Sequence, residues 1–146
     1  MDGVRFADGE MLPLSRRIFT EQPRRLMRAF LHSQKRGLKM HPDLVQLMRQ
    51  SMSLVNREFI NDPHVNETFL EILNQRGTVG ATLRGMHEVD LLGKFIPEFG
   101  RLTCLVQHEF YHQYAADEHT LICLQMLDRV WEAEEAPFQR YAELFQ

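Results

Sequence analysis

The sequence predicts an all-α protein of about seven or eight helices. Three observations carry that expectation. Apolar residues recur at three- and four-residue steps over most of the 146 residues. Prolines and short polar clusters fall where such stripes begin, and glycines where they end. No stretch of five or more residues alternates apolar and polar convincingly enough to read as a strand. A bundle packed on Leu, Met and Phe stripes follows, with the eight methionines acting as adaptable core filler rather than as a partner surface.

Residues 1–14 carry two glycines, one proline and no periodicity, and are taken as a loose lead-in. A first short helix signal is Ser15 to Phe19. Pro23 then opens a helix to about Lys35, with Leu26, Met27, Phe30 and Leu31 on one face and Gly37 as its stop. His41-Pro42-Asp43 starts the next, because proline lacks an N–H that the first turn does not need and an acid suits the positive end of the dipole. Its stripe runs Leu44, Leu47, Met48, Met52, Val55, Phe59, four turns in one helix. Asn61-Asp62-Pro63 closes that stripe and opens another through Val65, Phe69, Ile72 and Leu73, ended by Gly77. Thr78 is the expected N-cap of a short helix through Leu83 and Met86. Glu88 to Gly93 reads as irregular. From Pro97 the pattern is helical again through Phe99, Leu102, Leu105, Val106 and Phe110. Asp117 is expected to cap a long helix, Glu118 to about Glu132, and Phe138 to Phe145 follow the Pro137 break.

Composition narrows the function classes. A net charge of −3 gives no global case for nucleic acid. The charge is uneven: residues 1–40 hold nine Lys/Arg against four Asp/Glu, and residues 41–146 hold eight against sixteen. Complementarity within the fold explains this more simply than steering of a partner. Cys104 and Cys123 sit in apolar helical patterns, which suits buried free thiols in a reducing compartment. No apolar run reaches the roughly 20 residues of a membrane span, and the N-terminus lacks the apolar core of a signal peptide. The protein reads as cytoplasmic, with no membrane partner and with homo-oligomerisation through exposed helical faces left open.

The densest chemistry lies at residues 93–124, which contain His108, His112 and His119. His108-Glu109-Phe110-Tyr111-His112 is a literal H-E-x-x-H string. In zinc hydrolases such a string turns two imidazoles one helical turn apart to a single metal and places a glutamate to polarise its water. Glu132 stands at a suitable distance for a third ligand. The longer H-E-x-x-H-x-x-G-x-x-H pattern fails at Ala115 and Glu118, and no substrate-aligning sheet is evident. A five-residue string with two free positions also arises by chance, so packed, hydrogen-bonded histidines are the better reading.

Taken at greater length, the same stretch follows another pattern. Gly85-Met86-His87 comes first, then Leu91-Leu92-Gly93-Lys94-Phe95-Ile96-Pro97-Glu98-Phe99-Gly100-Arg101. Gln107-His108-Glu109-Phe110-Tyr111-His112-Gln113-Tyr114 and Asp117-Glu118-His119-Thr120-Leu121 complete it. This succession resembles the bifunctional PII uridylyltransferase/uridylyl-removing enzymes, in which it lies between a nucleotidyltransferase domain and an HD domain. The helical run Pro23 to Pro42 also fits that family's linker. The resemblance extends from about residue 15 onward, with 91–121 as its specific part. Glu109 stands where the family has aspartate, and Ala115-Ala116 where it has Thr-Val.

The resemblance implies a helical scaffold over 15–96 and, over 97–146, a junction into the first helices of an HD-type domain. It implies a PII-like signalling protein as partner of the parent enzymes and a divalent Mg or Mn ion as their hydrolytic cofactor. It also implies that His119 is the first metal ligand of the HD set H … H-D … D. The rest of that set is absent: no histidine is followed by aspartate, and no D-x-D pair of the kind a nucleotidyltransferase uses occurs. The expectation is therefore a fragment or stand-alone remnant, non-catalytic and cofactor-free by itself. A helical interaction or regulatory module is the alternative, and a zinc hydrolase built on His108, His112 and Glu132 a remote one. Asp117 and Glu118 are read as helix-start residues, and His108 and His112 as packing support.

Overall fold

Asp8-Gly9 closes a tight β-hairpin, with φ of 52° and 77°, the left-handed pair that matches the right-handed twist of two joined strands. The computed structural model describes residues 3–103, 115–130, 133–134 and 138–145. Strand β1 (Val4–Ala7) pairs antiparallel with β2 (Glu10–Pro13), with Val4 opposite Pro13 and Ala7 opposite Glu10. The two-residue β3 (Lys39–Met40) adds in parallel, Met11 opposite Met40, giving the order β1-β2-β3. The fold is mostly helical, as expected, but the expectation of no strand is corrected. The strands are too short for alternation to show, and the Asp-Gly turn was their legible signal. Within this stretch, Val4 and Met11 are buried in the core.

Helices α1 (Ile18–Glu21) and α2 (Arg25–Arg36) follow. α2 buries Leu26, Met27, Ala29, Phe30 and Leu31, the predicted face with one addition. It ends at Gly37 (φ 60°), whose N–H reaches the Gln34 carbonyl at 3.3 Å while the Leu38 N–H reaches Ser33 at 3.1 Å. That pattern satisfies carbonyls a helix otherwise leaves unpaired. α2 is the central helix, packed on both α5 (Pro63–Leu73) and α6 (Val79–Glu88).

The stripe from Leu44 to Phe59 is not one helix. α3 (Pro42–Gln50) stops at Ser51, a 3-10 turn spans Met52–Leu54, and α4 (Arg57–Ile60) starts afresh. Two short polar side chains explain the breaks. The Ser51 hydroxyl donates to the Leu47 carbonyl at 2.7 Å, and Asn56 accepts the Phe59 N–H at 3.0 Å as a new cap. His41 and Asp62 cap α3 and α5, accepting from Asp43 and His64 N–H groups respectively.

Residues 88–93, expected to be irregular, are largely helical. α6 runs to Glu88, Asp90 turns the chain in the left-handed region (φ 66°), and α7 (Leu91–Phe95) buries Leu91, Leu92 and Phe95. Phe95 meets Phe69 edge-on at 5.0 Å and Phe59 at 6.3 Å. α8 (Pro97–Gly100) folds back so that Gly93 and Gly100 touch through their backbones. A Cβ on Gly93 would lie 3.0 Å from the Gly100 Cα, and one on Gly100 would press into the Gly93 carbonyl. The Leu-Gly … Pro-Glu-Phe-Gly spacing thus has a steric reason: both glycines belong to one close crossing. α9 (Ala116–Val130) then packs along α6, and α10 (Phe138–Ala142) follows against α9. The described residues thus form ten α-helices, more than the seven or eight expected, because the Leu44–Phe59 stripe is split in two and Leu91–Phe95 adds a helix where irregular chain was expected. Met11, Met27, Met48 and Met86 are fully buried, in keeping with their reading as core filler.

Candidate functional site

The chemistry-bearing residues that the structure brings together lie along the seam between α6 and α9. Gly80, the second residue of α6, has a packing reason. A Cβ there would stand 2.6 Å from the Gln125 backbone nitrogen and 2.8 Å from its Cα. The missing side chain lets the two helices meet backbone to backbone.

Polar groups lock the seam on either side of that contact. The Asp128 carboxylate accepts the N–H of Val79 at 3.1 Å and of Gly80 at 2.6 Å, capping α6 from another helix. Thr78, expected to be that cap, instead turns its hydroxyl to the Gln75 carbonyl. One turn on, Arg84 forks onto Glu118, Nη1 to Oε2 at 3.1 Å and Nη2 to Oε1 at 2.9 Å. Its Nη2 also donates to Gln125 Oε1 at 3.2 Å. The Glu118 hydrogen bond holds the guanidinium further above its ordinary pKa. At the far end, His87 Nε2 lies 3.2 Å from Asp117 Oδ2, and its ring meets Phe99 edge-on at 5.5 Å.

Asp117 is therefore not the expected cap. It is the second residue of α9, buried at 6% exposure, and its role is to face His87. Among the described residues its Oδ1 has no hydrogen-bond partner, and His87 is the group that faces this buried carboxylate. Glu118 does lie in the first turn, as expected, with Arg84 as its partner. Sequence reasoning noted His87 but missed Gly80, Arg84, Gln125 and Asp128. Only the glycine in the first turn of α6 could have signalled a close approach.

His119 sits on α9 away from this seam and is exposed, its Nε2 3.9 Å from Cys123 Sγ one turn later. Cys123 is a free, exposed thiol, not the buried one expected. Among the described residues no group of three or more His, Cys, Asp or Glu side chains could share a metal ion. His119 and its described neighbours therefore do not make a metal site by themselves. His108, Glu109, His112, Cys104 and Glu132 lie outside the described residues. Among the described residues no helix is long and apolar enough to cross a membrane.

Residues 7–95 match the protein family described as the uridylyltransferase GlnD third domain. A bifunctional uridylyltransferase/uridylyl-removing enzyme of Azospirillum brasilense is 39% identical over 124 residues, 84% of this chain and 13% of that protein. One from Nitrobacter winogradskyi is 38% identical over 115 residues, 77% of this chain and 12% of that protein. The chain thus spans only 12–13% of the length of these curated relatives.

Proposed function

This chain belongs to the uridylyltransferase GlnD third-domain family, and from that premise we propose that it is a non-catalytic helical scaffold of a nitrogen-signalling uridylyltransferase-like protein. Residues 15–96 form the scaffold and 97–146 the junction into an HD-type domain. The observation that carries this reading is the α6/α9 seam: Asp128, Arg84 with Glu118, and His87 with Asp117 are engaged in holding two helices together. The missing D-x-D and His-Asp pairs point the same way.

In the intact cytoplasmic enzyme the partner would be a PII-like protein. His119 would give one imidazole to a divalent Mg or Mn site whose other ligands come from elsewhere. Such an ion would supply a water activated near neutral pH. The test has two arms. The purified chain, given uridylylated PII and Mn²⁺, releases no UMP; steady release would overturn the scaffold reading. Grafted in place of the matching 124 residues of the Azospirillum brasilense enzyme, the segment carrying His119→Ala abolishes UMP removal and leaves uridylyl transfer intact. Unchanged removal would exclude His119 as a ligand.

One observation favours a second reading, an interaction module. Leu73 and Leu127, 40% and 52% exposed, line one open groove with Val79 and Leu124. Light scattering that shows a monomer at every concentration would count against self-association through it.

A further inference from the structure

A ligand several ångströms off a helix axis swings whenever the helix rolls, so a helix that presents one must have its rotation fixed. α9 meets that need through three contacts of different kinds. Gly80 sets how closely α9 approaches, because backbone faces backbone there. Asp128 sets where α9 stops along its axis, because its carboxylate must sit over the start of α6. Arg84 sets the roll, because one guanidinium spans Glu118 and Gln125, two turns apart on a single face. Two residues beyond Asp117, His119 lies about 200° around the helix from it and is exposed.

We propose that Gly80, Arg84 and Asp128 are positioning residues for His119: they lock the roll of α9 against α6 so that this imidazole faces away from the seam, toward whatever completes its site. The role assigned to His119 rests on the ligand reading above. The clasp itself rests only on the geometry.

The test is NMR of the whole chain at one fixed pH, with neither metal nor substrate present. The His119 Cε1–Hε1 cross-peak, assigned with His119→Gln, and amide exchange over 116–130 are followed in Arg84→Met, Arg84→Lys, Asp128→Ala and Asp128→Asn. Val65→Ala, on the buried face of α5 and not among the seam residues, controls for lost stability. Arg84→Met and Asp128→Ala should move the His119 peak and speed exchange over 116–130 about tenfold relative to 65–72, a local opening. Arg84→Lys and Asp128→Asn keep one hydrogen bond each and should recover part of both effects. Val65→Ala should leave the His119 peak in place. An unmoved peak in Arg84→Met and Asp128→Ala overturns the proposal, as does an equal displacement in Val65→Ala. Because no metal enters these spectra, their failure removes the positioning role alone. Failure of the His119→Ala graft removes the ligand role alone.

Discussion

Asp128 caps a helix to which it does not belong: its carboxylate accepts the Gly80 N–H at 2.6 Å from 48 residues away in sequence. A local cap is specified by the residue beside the helix. This one exists only once α9 has docked, so the start of α6 and the placement of α9 form together. The two glycines of α6 should consequently respond in opposite directions to the same substitution. Gly80→Ala would drive a methyl to 2.6 Å from the Gln125 nitrogen and is expected to cost about 1–3 kcal/mol, as overpacking does. Gly85→Ala meets only the Phe30 ring at 3.4 Å and should be neutral or stabilising by up to about 1 kcal/mol. Urea midpoints of the two variants check the sign of each.

Arg24 and Asp62 form a second long-range pair, Nε to Oδ2 at 2.6 Å. The Arg24 hydrogen bond holds the Asp62 carboxyl below its ordinary value, helped by the backbone N–H of His64. A depressed carboxyl stabilises the fold above the carboxylate range, and that contribution is lost as pH falls through the folded value. In Arg24→Met the Asp62 midpoint, followed by NMR of its side-chain carboxyl, should rise toward the ordinary value. Acid unfolding should then begin at a higher pH than in the native chain. An unmoved midpoint would show that the α5 cap, not Arg24, sets this carboxyl.

Met11 is fully buried although it lies in a four-residue strand of the N-terminal hairpin. Met11→Ala should cost about 2–5 kcal/mol, the range for a large core side chain. Chemical denaturation should show a single transition moved to lower denaturant. A loss under 0.5 kcal/mol, the order expected for a surface site, would show the hairpin to be an ornament on the helical core.

Gly93 and Gly100 should be unequal. Alanine at 100 places its methyl inside contact distance of the Gly93 carbonyl, a backbone atom that cannot turn aside, whereas alanine at 93 meets the Gly100 Cα at 3.0 Å. Thermal denaturation should rank Gly100→Ala below Gly93→Ala, and both below the native chain.

Where one residue decides a local structure, the sequence was readable. The Gly37 stop and the His41-Pro42 start hold, because glycine and proline act through their own backbones, whereas α2 starts at Arg25, two residues past the expected Pro23. Periodicity alone overran at Ser51, since apolar spacing cannot see a hydroxyl competing for a carbonyl four residues back. It also left Leu91–Phe95 unread, because five residues are little more than one turn. The α6/α9 seam was the least legible part. Arg84, Gln125 and Asp128 look like ordinary solvated polar residues until the two helices are placed side by side. Chemistry made from residues 34 to 49 positions apart, as Arg84–Glu118 and Val79–Asp128 are, leaves no motif.

The parallel pairing of β2 with β3 gives the hairpin an existence partly separate from the chain that follows it. Lys39 donates to the Gly9 carbonyl at 3.1 Å and His41 to that of Met11 at 3.0 Å, so β2 is held by groups lying well beyond the exposed Leu14–Arg17 stretch. A backbone break within that stretch would sever none of these bonds. The molecule should tolerate being supplied as two polypeptides, a hairpin peptide and the remaining chain, that recombine by complementation. Nicking there with trypsin, at Arg16 or Arg17, should yield two bands under denaturing electrophoresis and one species on a native gel.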